Sequence, residues 1–325
     1  MLKRLVNEAR FKLTITAKGS LLVKSGHPTL IGPDMTPVLT YRHGESQVYL
    51  PGSSLKGVFR SHVEKVIRTI RQGEVVVCDP FLTKKKAEEN HLPLHEQNCG
   101  DWFNQAENVP KNLMTQEEFA YDKSCPACRL FGSTFFIGRV NLGDAYLVDD
   151  SDPRPTETRD GVGIDRLTGG AADKAKFDLE VVSSETAFAC EVLLRNFECW
   201  QLGALLLVLQ DMNDGLVFVG SGKSRGLGAA KASVTEITLA HIGRNEGRAD
   251  KAIWGLGKFL GDDSRYGTWP DDLLQIEQAP VSINRGVRQL QTFSGAALTE
   301  LQEKTIDAFL QRMTSYPLHN VGASA

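Results

Sequence analysis

No run of about 20 apolar residues occurs in this 325-residue chain, which excludes a hydrophobic membrane-spanning helix. The opening residues, Met1-Leu2-Lys3-Arg4-Leu5-Val6-Asn7-Glu8, lack the apolar core of a signal peptide, so a cytoplasmic protein with no membrane partner is expected. There is no excess of positive charge: the formal net charge is −3. A nucleic-acid site must therefore be a local basic surface offset by acids elsewhere. Internal repeats and low-complexity tracts are absent. A complete nucleotide-binding loop is missing too. The stretch from Val217 to Gly228 contains Gly222-Lys223-Ser224, but a P-loop needs glycine five positions earlier, where Val217 stands. A dinucleotide fingerprint from Gly220 needs glycine where Arg225 stands. What remains is a glycine-rich loop whose backbone N–H groups, with Gly222, Lys223, Ser224 and Arg225, can meet phosphates without being a nucleotidase.

The hydrophobic content of 41% suffices for one large core or two smaller ones. In a cytoplasmic setting the six cysteines read as thiols or metal ligands rather than disulfides. Residues 11–23 alternate apolar and polar, as a half-buried strand does. The loop at 25–41 is rich in glycine and proline and holds one acid, Asp34, between Pro33 and Pro37. Two prolines can hold a carboxylate in a fixed place; the plainer reading is a turn aspartate bonded to nearby backbone.

After a short strand at 47–50, residues 51–60 open a helix. Ser53 or Ser54 is expected to cap its first N–H groups. Apolar residues recur at Leu55, Val58, Phe59, Val63, Val66, Ile67 and Ile70, which is helical spacing. Lys56, Arg60, Lys65, Arg68 and Arg71 fall on the opposite face. Free N–H groups, two serines and Lys56 within one turn make an anion site; an ordinary helix with a solvated basic face is the alternative.

Residues 74–130 read as an insertion in which hydrophobic periodicity fades. Cys78, His91, His95, Cys99, Cys125 and Cys128 gather there. Such a polar segment has little core of its own, and a metal can supply the missing folding free energy. The Cys125/Cys128 pair offers two zinc ligands across one tight turn. Cys78 and Cys99 complete a four-cysteine set, with His91 or His95 as possible replacements. A redox pair and simple buried thiols are the alternatives. Cys190 and Cys199 lie in apolar, strand-like sequence and are read as core.

A strand is expected at 139–148. Residues 151–178 are polar and glycine-studded, which suggests a projecting β-hairpin whose Arg159 and Arg166 suit phosphate contact, or else a surface loop. Strands at 187–195 and 229–240 flank a helix at 198–213. A last helix is expected over 296–313 in a tail, 241–325, that packs on the core or on a neighbour.

Three signals coincide: the Pro51-Gly52-Ser53-Ser54-Leu55-Lys56-Gly57 helix start with Arg60, the Cys125-Pro126-Ala127-Cys128-Arg129-Leu130-Phe131-Gly132-Ser133 knuckle, and Ser224-Arg225-Gly226-Leu227-Gly228. Together they resemble the RAMP superfamily of CRISPR-associated proteins, over about residues 11–240. The Asp34 loop and the cysteine knuckle resemble, more narrowly, the backbone subunit of type III effector complexes. The resemblance implies an α+β, modified ferredoxin-like (RRM-type) fold. Residues 1–240 would form the core, with a zinc-bearing lid at 74–130 and a thumb-like hairpin at 151–178; 241–325 would be an extension. It implies that the glycine-rich loop and the 51–60 helix start grip guide RNA, that the hairpin wedges into a guide–target duplex, and that other RAMP subunits are partners. It further implies that Asp34 cuts target RNA. With Mg²⁺, or as an orienting base, Asp34 would give a 2′,3′-cyclic phosphate and a 5′-OH. Two alternatives within the superfamily are a structural RNA-binding subunit that does not cut and a precursor-RNA processing ribonuclease. A zinc-dependent hydrolase fails, because four protein ligands close the coordination shell.

Overall fold

Alternation at the start of the chain produces β1 (Asn7–Ala17), with Ala9, Phe11, Leu13 and Ile15 buried and Arg10 and Lys12 exposed. The computed structural model describes residues 4–26, 32–93, 96–149, 152–243, 249–261 and 266–319. The strand at 47–50 is the end of β3 (Glu45–Leu50), which forms a hairpin with β2 (Leu39–Arg42). Helix α1 (Gly52–Ile70) follows and buries Leu55, Phe59, Val63 and Ile67.

Among its described residues the 74–130 segment folds as short α-helices, α2 (Lys84–Glu89), α3 (Cys99–Phe103), α4 (Leu113–Lys123) and α5 (Pro126–Phe131), with a 3₁₀ turn at Ala106–Asn108. It has more apolar packing than its charge suggests. Phe103 sits edge-on to Trp102 and Phe119, and Cys99, Phe103, Cys125 and Leu130 join the main core. The single strand expected at 139–148 breaks at Gly143 and Asp144 into β4 (Val140–Leu142) and β5 (Ala145–Leu147). Next comes a hairpin of β6 (Thr156–Ile164) and β7 (Ala171–Val182), which runs past the expected end at 178. After β8 (Ala187–Arg195) comes α6 (Cys199–Asn213), apolar on nearly every side and enclosed by the core. The next strand is split into β9 (Ala230–Ser233) and β10 (Glu236–Ile242).

The remaining elements are β11 (Ala252–Trp254), α7 (Leu256–Leu260), β12 (Leu273–Gln275), β13 (Val281–Arg285), β14 (Arg288–Ser294) and α8 (Gly295–Thr314). β14 pairs along the whole of β10, and α8 packs on α6. Gly203 permits that helix crossing, since a Cβ there would meet the Thr305 carbonyl oxygen at 1.8 Å. Gly203→Ala is expected to destabilise the fold by about 3 kcal/mol through overpacking, read as a lower denaturant midpoint at unchanged slope.

One large sheet runs β13-β14-β10-β1-β8-β5-β3-β2, with β4 on β8 and β9 on β1. Its centre, β10-β1-β8-β5, with α1 after β1 and α6 after β8, is the antiparallel β-α-β-β-α-β arrangement of a ferredoxin-like fold. The helices cover one face. Among the described residues no helix is long and apolar enough to cross a membrane.

Candidate nucleic-acid interface and metal centre

Asp34 is exposed, and its Oδ2 accepts a hydrogen bond from the backbone N–H of Asp178, 3.1 Å away on β7. The loop is further pinned by Met35, whose N–H donates to the Asp178 carbonyl and whose carbonyl accepts from Glu180 N (2.8 Å). The part of the loop at 27–31, including His27, lies outside the described residues. The rigidity expected from Pro33 and Pro37 is thus joined by ladder-like bonds to the base of the hairpin.

The glycine-rich loop arrives at the same place. Gly220 has φ +84°, and a Cβ there would meet the Leu22 carbonyl oxygen at 2.3 Å. That approach lets Ser221 N donate to the Leu22 carbonyl at 2.7 Å. Lys223, Ser224 and Arg225 then form an exposed 3₁₀ turn between left-handed Gly222 and Gly226. Leu22, Leu179, Val181 and Leu227 make a small second core, with Met35 and Phe177 packed against it. The Arg225 guanidinium lies 5.1 Å from the Phe177 ring centroid. Three stretches far apart in sequence, namely the acid loop, the hairpin base and the cationic glycine turn, therefore share one apolar anchor.

Arg159 and Arg166 sit on the hairpin. Arg159 pairs with Glu157 at 2.9 Å, which ties it to the hairpin surface. Arg166 is exposed in the tip turn beside Leu167, which is 97% exposed.

At the start of α1 the structure corrects the expected caps. The N-cap is Pro51, with no side-chain cap from Ser53 or Ser54. Instead Asp144 Oδ1 accepts from Gly52 N at 2.8 Å. The reason is steric: Gly52 has no Cβ, which would meet the Leu142 carbonyl oxygen at 2.2 Å, so the turn carrying Asp144 rests on the helix end. A carboxylate there is favoured by the free N–H groups and the helix dipole. Asp144→Ala should lower stability by about 1 kcal/mol in denaturant titrations. Ser53 is exposed, and Lys56 lines a groove of about 640 Å³ with Gly52, Ser53, Arg139, Asn141 and Arg195. Burial, then the Arg60 charge, hold the Lys56 amine below its ordinary value.

Arg60, expected on the solvated face, turns inward. Its Nε donates to Glu64 at 2.8 Å, one Nη to the Gly132 carbonyl at 2.9 Å and the other to Cys128 Sγ at 3.3 Å. Its charge faces sulfur rather than solvent, which leaves Lys56 as the cation of this turn open to the groove.

Cys78, Cys99, Cys125 and Cys128 are all buried, with their sulfurs within 4.8 Å of one another. Cys78 Sγ lies 3.6 Å from both Cys125 Sγ and Cys128 Sγ. A tetrahedral zinc site with bonds of about 2.3 Å requires sulfur separations of about 3.8 Å. The four thiols therefore fit a metal ion such as zinc. Cys125 also caps α5, accepting from Cys128 N at 3.4 Å. His91 is exposed and stands outside this group; His95 lies outside the described residues. Cys190 and Cys199 are buried in the core, as read from sequence.

Sequence reasoning missed two acids. Asp144 is 92 positions from Gly52 and Asp178 is 144 from Asp34, so no local spacing links either pair. Only the turn at Gly143-Asp144, which interrupts a strand, hinted at the first.

A comparison with curated proteins finds no match. A family model described as the RAMP superfamily matches residues 14–231, more than half of the chain. That span holds the acid loop, the α1 start, the cysteine cluster, the hairpin and the cationic glycine turn, and the chain accordingly belongs to the RAMP superfamily of CRISPR-associated, RNA-binding proteins.

Proposed function

We propose that this protein is the backbone subunit of a type III effector complex, holding guide RNA and cutting the complementary target RNA at Asp34. The observation that carries the reading is the convergence of an exposed carboxylate, the hairpin base and the Lys223–Arg225 turn on one small core. In this reading Lys223, Ser224, Arg225, Ser53 and Lys56 hold the guide backbone, while Arg159 and Arg166 reach the duplex from the hairpin. Residues 74–130 act as a lid around zinc, 151–178 as a thumb, and 241–325 as an extension that widens the sheet.

RNA splayed by the hairpin would present a 2′-OH in line with its own phosphate. The 2′-oxygen attacks phosphorus as the P–O5′ bond breaks, leaving a 2′,3′-cyclic phosphate and a 5′-oxygen that takes a proton from solvent water to become a 5′-OH. Asp34 takes or orients the 2′-OH proton. The backbone N–H of Asp178 occupies Oδ2, which leaves Oδ1 for this role. Asp178 Oδ1 is buried with no hydrogen-bond partner, and Lys176 Nζ stands 4.0 Å away. A divalent cation would suit Asp34 Oδ1 together with a substrate phosphate, because Mg²⁺ is commonly held by one or two carboxylates plus substrate phosphates. When bound, it would supply positive charge to the developing phosphorane. Zinc in the cysteine cluster is structural, since four thiolates leave no open position. The test is the pattern of target fragments from a purified complex: a ladder of fixed spacing is expected with Asp34 intact, and an unchanged ladder from Asp34→Ala would overturn the nuclease assignment.

A further inference from the structure

The face of the sheet opposite the helices carries a feature that the proposed nuclease does not use. Val48 and Leu50 of β3 and Ala145 and Leu147 of β5 point into the core, so Tyr49 and Tyr146 between them point the other way. The two tyrosines are register partners. Their rings stack with centroids 6.0 Å apart and an interplanar angle of 18°. The Arg42 guanidinium lies 4.2 Å from the Tyr146 centroid. Beyond Tyr146 in the same cross-strand row come Ala189 on β8 and Thr14 on β1. These side chains are short, so the aromatic pair is bordered by a low shelf. All three of Tyr49, Tyr146 and Arg42 are partly exposed.

The pair is also tied to the cationic groove through Asp144 and Gly52. Tyr49 lies three residues before Gly52, the first residue of α1. Tyr146 OH donates to Asp144 Oδ2 at 3.5 Å, and Asp144 Oδ1 accepts from Gly52 N. Lys56, Ser53 and Arg195 line the groove next to that junction.

We propose that Tyr49, Tyr146 and Arg42 form a stacking platform for an unpaired nucleobase of single-stranded RNA, whose phosphate is met by Ser53 and Lys56. Aromatic rings and guanidinium planes are the surfaces on which splayed bases stack, and a tyrosine with an arginine above it offers both in one stack. Mixed charges around the platform, Glu191 with Arg10 and Asp144 with Gly52 N, place the attraction for phosphate at the groove and leave the platform for the base. The inference rests on the RNA-binding role of the family and adds a base subsite to it.

The test uses the full-length protein and a fluorescein-labelled single-stranded oligouridylate, followed by anisotropy. Tyr146→Leu keeps an apolar side chain and removes the ring; affinity is expected to fall about 5- to 150-fold, the range for one lost base stack. Tyr146→Phe should bind within about twofold of wild type, because the ring and not the hydroxyl stacks. An oligomer abasic at a single position should lose the same factor on the wild type and nothing further on Tyr146→Leu. Arg225→Ala serves as the control for RNA binding elsewhere. Wild-type affinity in Tyr146→Leu, with weakened binding in Arg225→Ala, overturns the platform and leaves the RNA-binding role standing. Unchanged RNA affinity with lost assembly onto other subunits assigns the face to protein and equally overturns it. No oligouridylate binding by the wild type overturns both.

Discussion

Asp34→Ala in an assembled complex is expected to reduce target-RNA cleavage at this subunit by about 10²- to 10⁴-fold, the contribution of a positioned acid–base group. Guide binding should be unchanged, since the cations assigned to it, Lys223 and Arg225, stand on a separate turn. The variant should also fold. Asp34 is exposed, and among the described residues its hydrogen bond is the one accepted from Asp178 N. Met35 keeps the loop attached through its own two backbone bonds. Asp34→Asn separates the two roles of the carboxylate. The amide oxygen can still accept from Asp178 N, but the group can no longer take a proton or carry charge for a cation. If Asp34→Asn cuts like the wild type, the residue anchors the loop and does no chemistry. The check is gel analysis of end-labelled target, with a cyclic phosphate at the new 3′ end as the chemical signature.

The second large effect is at the cysteines. Cys125→Ser is the informative variant, because serine still caps a helix well and so preserves the other role of Cys125 at the start of α5. Bound metal per chain should fall toward zero, and the 74–130 segment should lose cooperative unfolding. Structural zinc contributes about 10–16 kcal/mol of apparent binding free energy in small peptides, so its loss outweighs the local packing. The damage should reach α1, since Arg60 donates to Cys128 Sγ and Glu64 at once. Metal binding displaces thiol protons, so retention should weaken as pH falls and chelator-induced release should accelerate. Metal analysis and chelator kinetics on the intact protein check both directions. Full metal content in Cys125→Ser would show that the four sulfurs do not act as a set.

Periodic stretches were the most legible part of the chain. The helices at 52–70, 199–213 and 295–314 follow from apolar spacing, and β1 and β8 from alternation. Except in α6, which is apolar on nearly every side, these patterns report burial of one face or stripe, which is a local property of the sequence. The cysteine set was legible for a different reason: Cys125-Pro126-Ala127-Cys128 brings two thiols together within a turn, the spacing of a metal knuckle. Its outer members, Cys78 and Cys99, were less certain, because closure across residues 78–128 depends on α5 packing against α1 and on α3 meeting the start of α5, where Cys125 N donates to Cys99 Sγ.

Arg60 shows where sequence reading fails. Its position on the helix is the basic face, yet its guanidinium is drawn to the sulfurs and the Gly132 carbonyl. The serine caps fail similarly, because an acid from a distant turn reached the helix end first.

By itself the sequence determined the periodic strands and helices, the family they belong to and the chemistry available in each loop, since these depend on side-chain type and short-range spacing. Only the tertiary structure decided that Asp34, Phe177 and Arg225 stand on one anchor, that Asp144 covers Gly52 and that Tyr49 stacks on Tyr146. Each of those meetings joins residues tens to nearly two hundred positions apart. They come about because β1 pairs with β8 on one side and with β9 and β10 on the other, and strand register, unlike periodicity, is a property of two segments together.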